Sequence, residues 1–136
     1  MKAIMQRTPE LQWMPASELY GEKCLYNGRE VIELKVLSDR RAEGGGMAYL
    51  MKLNPPIGKL IKLIAVAGSD EHVYLLQGGY CDRTGRKLRF PGDYVLNPKG
   101  HPHSAFVGEE SVSLVVYAGE PDQMEEVAVV DPVLPQ

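Results

Sequence analysis

The sequence predicts an all-β protein, a sandwich or barrel built from many short strands. Its 14 glycines and 10 prolines are spread along the chain, where they end one short element after another instead of forming a linker. Apolar segments recur at intervals of roughly 8–12 residues, which is typical of sandwiches and barrels. The absence of any amphipathic helical pattern longer than about two turns argues against a helical bundle.

The bulk composition is that of a single globular domain. At 136 residues the chain can bury about two-thirds of the surface that its unfolded form exposes, so it needs no disulfide or metal to fold. A net charge of −3 gives no reason to expect a nucleic acid or a membrane as partner. Cys24 and Cys81 lie far apart and are expected to be reduced thiols. The start lacks a signal peptide's apolar region and no segment has the ~18 apolar residues of a membrane span, so we expect a cytoplasmic protein.

The periodicity of apolar residues and the positions of the prolines divide the chain into three segments. Residues 1–22 show little periodicity and are expected to form an arm over the domain or an edge strand. Residues 23–130 contain the alternating segments and are expected to form the barrel. Residues 131–136 are broken by prolines and are expected to form a tail.

Recognisable turns separate the predicted strands. Asn27-Gly28 predicts a type I′ turn, because both residues accept a positive φ, and therefore a hairpin from Cys24 to Leu37. A second hairpin turn is predicted at residues 82–85. The remaining strands are expected over residues 48–53, 59–67, 71–77, 80–81, 88–90, 94–96, 111–117 and 127–130.

One spacing in the second half of the chain carries chemical information. Its residues form the pattern G-x5-P-x-G-x2-H, namely Gly92, Pro98, Gly100 and His103. This composition would give that pattern by chance about two times in a thousand. The glycines and the proline form turns at the two ends of a strand, which places His103 on the returning strand.

Together with Glu71 and Gly78, which form the pattern E-x6-G, this spacing resembles the two sequence motifs of the cupin superfamily. Over about residues 45–119 the chain is most similar to the cupin domain of anti-sigma-factor-like proteins. The resemblance implies a small single-domain cupin, that is, a double-stranded β-helix or jelly-roll barrel. It also implies a homodimer, because single-domain cupins commonly pair or exchange edge strands, here from the first 20 residues.

The resemblance further implies a metal centre, which this chain lacks in its usual form. Typical cupins carry two histidines, in the pattern H-x-H, three or four residues before the glutamate. In this chain the corresponding residues are Ile64 and Val66, or Ala65 and Ala67 at the shorter spacing. An aliphatic side chain has no lone pair to offer a metal, so the usual centre is incomplete.

The chain's three histidines all fall within these motifs. His103 is the best inward-facing candidate, and His101 shares its face if the strand continues through Pro102. His72 follows Glu71 directly and by period two points to the opposite face. Glu71, His101 and His103 would form a three-ligand site compatible with zinc or ferrous iron. In the alternative there is no metal, His103 is a hydrogen-bonded pocket residue and His101 is solvated.

A ligand pocket is predicted around these residues. At the four-residue spacing, Lys62, Ile64 and Val66 lie on the inward face of the preceding strand. The Lys62 ammonium then either pairs with Glu71 in place of a metal or extends to the barrel rim. The residues expected to line the pocket are Lys62, Ile64, Val66, Glu71, Tyr94 and His103.

Three functions follow from these alternatives. The first is a protein that binds a small molecule in the barrel mouth and has a degenerate metal site, which the aliphatic Ile64 and Val66 favour. The second is a metal-dependent enzyme, dioxygenase-like and acting on a small diketone or aromatic compound, that uses a reduced Glu and His site. A purely structural or partner-binding role is the third, because a fold does not determine a function.

Overall fold

The computed structural model describes residues 2–134, and the regular structure within them is almost entirely β, as predicted. One turn of α-helix, α1, spans Ser17–Tyr20, and short 3-10 turns span Thr8–Glu10, Glu22–Cys24 and Arg41–Glu43. None of these helical segments is long enough and apolar enough to cross a membrane. The strands are β1 (Met14–Pro15), β2 (Leu25–Tyr26), β3 (Arg29–Glu30), β4 (Ile32–Asp39), β5 (Met47–Leu53), β6 (Leu60–Val66), β7 (Glu71–Gln77), β8 (Tyr80–Cys81), β9 (Lys87–Arg89), β10 (Tyr94–Asn97), β11 (Pro102–Val107), β12 (Ser111–Tyr117) and β13 (Gln123–Val130).

The strands form two large antiparallel sheets and one small hairpin. The first sheet has the order β1-β4-β5-β12-β7-β10, the second has the order β13-β6-β11-β8-β9, and β2 pairs with β3. Their inner faces meet in one core, where Tyr49 and Val115 of the first sheet join Ile61 and Val107 of the second. Each large apolar side chain buried there contributes about 1.5–3 kcal/mol, so the core is what holds the two sheets together.

Alternation along the strands determines which residues enter this core. In β12 every second residue is buried, and the four are Ser111, Ser113, Val115 and Tyr117. The same period of two is seen in β5. A period of two is expected where one face of a sheet is packed and the other faces outward.

The turns follow the predicted chemistry. At the tip of the β2–β3 hairpin, Asn27 has a φ of 51° and Gly28 a φ of 75°, as a type I′ turn requires. Gly78, the glycine of the E-x6-G pattern, has a φ of 80°. A Cβ atom at Gly78 would lie 2.3 Å from the carbonyl oxygen of Glu110. Only glycine therefore allows the end of β7 to approach the turn that precedes β12.

The N-terminal segment provides both an arm and an edge strand. Met14–Pro15 pairs with β4 at the edge of the first sheet. The Nζ atoms of Lys35 and Lys52 lie 4.7 and 4.4 Å from the ring centroid of Trp13, within the range of a cation–π contact. The arm thus covers the outer face of β4 and β5. The division at residues 22 and 130 stays a prediction, and residues 135 and 136 of the predicted tail lie outside the described residues.

Candidate functional site

A cavity of about 320 Å³ lies between the two large sheets. Much of its wall is apolar, with Met51 and Val73 from the first sheet and Leu63 and Ala65 from the second. The volume is at the small end of the range for ligand pockets, which suits a compound with a single ring. The cavity therefore has the size and the lining that a small, largely apolar molecule would fit.

Three ionisable side chains meet at the wall of this cavity. Glu71 is the first residue of β7, His103 lies on β11, and Asp122 lies just before β13. One ligand atom from each lies within 4.8 Å of those of the other two. Glu71 and Asp122 are buried and His103 is partly buried. We refer to these three residues as the acidic cluster.

The register of the first sheet fixes the Glu71 carboxylate. Glu71 lies opposite Asn97 of β10 on one side and opposite Tyr117 of β12 on the other. Asn97 Nδ2 donates to Oε1 at 2.8 Å, and the Tyr117 hydroxyl donates to Oε2 at 2.7 Å. Residues opposite each other in an antiparallel pair point to the same face, so all three side chains enter the cavity side by side.

Both ring nitrogens of His103 face hydrogen-bond acceptors. Nδ1 lies 3.3 Å from the carbonyl oxygen of His101, and Nε2 lies 2.9 Å from Asp122 Oδ2 and 3.6 Å from Glu71 Oε1. A neutral imidazole carries only one N–H, so two acceptors are best satisfied by the imidazolium. The His103 ring is therefore the counter-cation of the two carboxylates.

The pKa values of the cluster follow from this arrangement. Burial, together with the nearby Asp122 carboxylate, raises the pKa of Glu71 from 4.5 to about 7, although the bonds from Tyr117 and Asn97 act in the opposite direction. The hydrogen bond to Asp122 raises the pKa of His103 above its ordinary value, against the opposing effect of burial. Both shifts favour the protonated forms near neutral pH.

A chain of three tyrosine hydroxyls leads from the cluster to the N-terminal arm. The Tyr117 oxygen lies 3.0 Å from that of Tyr49, which lies 2.7 Å from that of Tyr20 on α1. Burial raises the pKa of Tyr20 to about 12 and the pKa of Tyr49 well above its ordinary value. All three phenols are therefore neutral donors that connect the arm to Glu71.

Of the predicted metal ligands, the structure brings Glu71 and His103 together and leaves His101 apart. His101 lines the cavity, but its side chain is exposed and supplies no atom to the three-residue group that could hold a metal. Its contribution to His103 is the backbone carbonyl oxygen. The third member of the predicted metal set is therefore corrected from His101 to Asp122.

The predicted pocket residues of β6 require a second correction. After Leu60, which is also buried, the buried residues of this strand are Ile61, Leu63 and Ala65, and the cavity is lined by Leu63 and Ala65. The predicted pocket residues Lys62, Ile64 and Val66 are displaced from these by one position and point to the opposite face. Lys62 does not reach Glu71, and its Nζ lies 3.4 Å from Glu126 Oε2 on β13.

The shorter motif spacing is therefore the one that the structure uses. Ala65 and Ala67 are buried at the positions of the missing histidines. Ala65 lies directly opposite His103 in the β6–β11 pairing. Two methyl groups thus stand where two imidazoles would stand, and they leave space within the cavity.

The third correction concerns Tyr94, a residue predicted to line the pocket. Val95 and Asn97 of β10 line the cavity, so Tyr94 points outward, where its hydroxyl lies 2.6 Å from Nδ1 of His72. His72 is exposed and on the face opposite Glu71, as period two predicts. Tyr94 and His72 therefore belong to the outer surface of the first sheet and not to the pocket.

The sequence motifs give no signal for Asp122. It follows Gly119-Glu120-Pro121, a turn that the buried Ser69 hydroxyl holds by donating to Glu120 O at 2.7 Å and accepting from Gly119 N at 2.8 Å. This contact fixes the start of β13 beside the end of β6. A polar residue just after a proline turn is common in any β protein, so only the folded structure identifies it.

The acidic cluster has the donor set of a divalent metal site. An imidazole nitrogen with carboxylate oxygens suits zinc, ferrous iron or manganese. Asp122 Oδ1 is buried and has no hydrogen-bond partner within residues 2–134, so it keeps a lone pair for an ion or a ligand. If a metal were bound, Glu71, His103 and Asp122 would hold it.

No family model matches the sequence, and no curated protein matches it either. A protein of unknown function with a cupin-like fold from Ralstonia eutropha matches with a TM-score of 0.61 and 18% identity, over 91% of this chain and 77% of that chain. The EutQ protein of Clostridium difficile matches with a TM-score of 0.57 and 19% identity, over 85% of this chain and 86% of that chain. The polyketide cyclase RemF of Streptomyces resistomycificus matches with a TM-score of 0.55 and 20% identity, over 100% of this chain and 89% of that chain. At such identities the likeness concerns the fold alone.

The described residues therefore form a small cupin barrel, and the predicted fold class is confirmed. Two of the structural neighbours are described as cupin-like, and the likeness to them is one of fold. The narrower resemblance to anti-sigma-factor-like proteins stays a prediction.

The acidic cluster should make the folded protein more stable at mildly acidic pH than at neutral pH. Between pH 4.5 and about 7 the folded state binds more protons at Glu71 than the unfolded chain does, so stability falls as pH rises. His103 acts in the same direction, because its stabilising charge is lost as pH rises through its raised pKa. We expect a loss of roughly 3 kcal/mol in the free energy of unfolding by about pH 8.

Urea unfolding in metal-free buffer across this pH range is the measurement. Glu71→Gln should flatten the pH dependence, because the amide does not titrate. The control is Glu109→Gln, which removes an exposed carboxylate that pairs with Lys87 and should leave the slope unchanged. A wild-type protein equally stable at mildly acidic and mildly basic pH would contradict the prediction.

Proposed function

We propose that this protein binds a small organic molecule in the cavity of its cupin barrel and needs no metal to do so. The observation that carries the proposal is the cavity of about 320 Å³ with its largely apolar wall, which also holds Asp122, a carboxylate whose Oδ1 accepts no hydrogen bond from residues 2–134. A buried acceptor left unpaired costs about 1–3 kcal/mol, which a donor on a ligand would offset. The binding site is therefore incomplete without a donor group.

The rest of the wall restricts the chemistry of the ligand. Met51, Leu63, Val73 and Val95 surround most of the space with apolar atoms, which favours a hydrophobic body. The acidic cluster favours one group on that body that donates a hydrogen bond, such as a hydroxyl or an amine. We infer a one-ring compound with one donor group directed at Asp122.

Both cysteines bear on the cellular location. Cys24 is buried and Cys81 is partly buried, and neither forms a disulfide. Reduced thiols persist in reducing compartments, so we propose the cytoplasm.

A phenol should bind where its methyl ether does not. We expect 4-cresol, added to the protein in EDTA-containing buffer, to shift the amide NMR signals of residues around the cavity. The ether 4-methylanisole keeps the ring and its methyl group but carries a methoxy group in place of the hydroxyl and so has no donor; it should bind about tenfold or more weakly. NMR titration with both compounds, with the shifted amides assigned, is the measurement.

A filled cavity provides the variant control. Ala65→Leu adds apolar atoms into the space opposite His103 and should abolish binding of 4-cresol. Ala42→Leu makes the same change at an exposed residue and should bind as the wild type does. Equal binding of the phenol and the ether, or binding by Ala65→Leu, would overturn the proposal.

A metal-dependent cupin enzyme, dioxygenase-like and acting on a small diketone or aromatic compound, is the second candidate. The observation that favours it is the approach of one ligand atom each from Glu71, His103 and Asp122 to within 4.8 Å. When bound there, a metal would supply Lewis-acid or redox chemistry. These three residues would hold it, and the apolar wall would bind and orient the substrate.

Elemental analysis distinguishes the two candidates. If the second is correct, untagged protein supplied with zinc, manganese or ferrous iron should retain about one metal per chain after gel filtration. Asp122→Asn should lose it, and His72→Gln, which changes an exposed histidine outside the cavity, should not. Less than about 0.1 metal per chain in the wild type would reject the metal enzyme and leave the metal-free binder.

A further inference from the structure

Charge within the cavity is segregated by depth. Its acidic residues, Glu71 and Asp122, are buried, whereas the basic residue Arg89 and the imidazole of His101 are exposed. No exposed acidic residue lines the cavity within residues 2–134. The mouth is therefore basic and the interior acidic.

Arg89 is available at this mouth. It ends β9, opposite Tyr80 of β8, whose ring lines the same cavity. On the same strand Lys87 is paired with Glu109 at 2.8 Å, but the Arg89 guanidinium has no carboxylate partner among the described residues. An unpaired guanidinium offers a fork of N–H donors that matches a carboxylate.

We propose that the ligand is a small organic acid, with its carboxylate at Arg89 and its donor group at Asp122. This inference rests on the proposed function, because it specifies the molecule in the same cavity. The orientation follows from the available cations: the Arg89 guanidinium at the mouth attracts a carboxylate, whereas the His103 ring inside the cavity is already paired with Asp122. The ring then occupies the apolar middle of the cavity.

A charged compound and its neutral ester test the inference. Isothermal titration in metal-free buffer should show 4-hydroxybenzoate binding about tenfold more tightly than methyl 4-hydroxybenzoate, which keeps the hydroxyl and loses the charge. Benzoate, which keeps the charge and loses the hydroxyl, should also bind more weakly. Added salt should weaken binding of the acid and leave the ester unchanged.

Variants assign the effect to one residue. Arg89→Met should reduce the affinity for 4-hydroxybenzoate to that for the ester, without changing the ester. Arg83→Met, an exposed arginine of the same hairpin that does not line the cavity, is the matched control. An ester that binds as tightly as the acid would overturn the inference and leave the proposed function intact. No binding of the acid, the ester or 4-cresol would overturn both.

The outer face of the first sheet carries a second, independent observation. Large apolar side chains are exposed at adjacent positions of β7, β10 and β12: Tyr74 by 44%, Leu76 by 46%, Tyr94 by 57%, Leu96 by 45% and Val116 by 38%. The strand register places Tyr94 opposite Tyr74 and both Leu96 and Val116 opposite His72. We call these five residues the apolar patch.

The apolar patch lies on a face without charged side chains. The outward residues of β7, β10 and β12 include no Lys, Arg, Asp or Glu. The other half of the same sheet is covered by the protein's own arm through Trp13. Interface centres are depleted in charge and enriched in tyrosine, so the uncovered half has the composition of a contact surface.

We infer that a second copy of this chain covers the apolar patch. Its exposed side chains amount to roughly 400 Å², about the apolar share of the ~800 Å² that each partner buries in a standard interface. Two copies of a face without Lys, Arg, Asp or Glu, related by a two-fold axis, meet without repulsion between such side chains. This surface differs from the pairing of the first 20 residues expected from the sequence, which stays a prediction.

Sedimentation velocity tests the dimer. The wild type should sediment as a species of twice 15.1 kDa. Leu96→Lys and Tyr74→Lys should each give a monomer with an unchanged circular dichroism spectrum, because a buried unpaired ammonium is costly in an interface. Ile57→Lys, at a fully exposed residue outside the patch, should remain a dimer. A monomeric wild type, or a dimer that survives both substitutions, would overturn the inference.

Discussion

The antiparallel register of β10, β7 and β12 is the constraint on which the rest of the site depends. It sets Asn97, Glu71 and Tyr117 in one row across the sheet, so the carboxylate is held by its two neighbours before any ligand arrives. Because a shift of one residue would turn the row outward, the packed core that fixes the register also fixes the site. Stability and function share the same set of contacts.

This barrel has alanine methyl groups at the two positions where typical cupins have histidines, and its ionisable groups lie elsewhere in the site. Ala65 and Ala67 contribute space and no ligand atoms, and Asp122 approaches from the start of β13 to form the closest contact of His103. The cluster then contains two carboxylates and one ring instead of the histidine-rich set of typical cupins. Burial and the neighbouring groups raise the pKa of Glu71 and of His103, so this set favours bound protons near neutral pH.

Sequence reasoning succeeds here where local patterns decide the outcome. Asn27-Gly28 fixes its hairpin, alternation fixes β12, and the motif spacing brings His103 to Glu71. It fails for β6, because both faces of residues 60–66 are apolar except for Lys62, and the motif spacing places this lysine on the inner face. Asp122 depends on contacts between loops far apart in sequence, and no local pattern records them.

The hydrogen bonds of the tyrosine chain all run in the same donor-to-acceptor direction while Glu71 is ionised. Each phenol has one hydrogen, and Tyr117 gives its hydrogen to ionised Glu71, so Tyr49 must donate to Tyr117 and Tyr20 to Tyr49. When Glu71 is protonated and becomes the donor, every hydroxyl in the row can rotate and reverse. The direction of the hydrogen bond at Tyr20 on α1 thus depends, through three hydroxyl groups, on whether the Glu71 carboxyl group is charged.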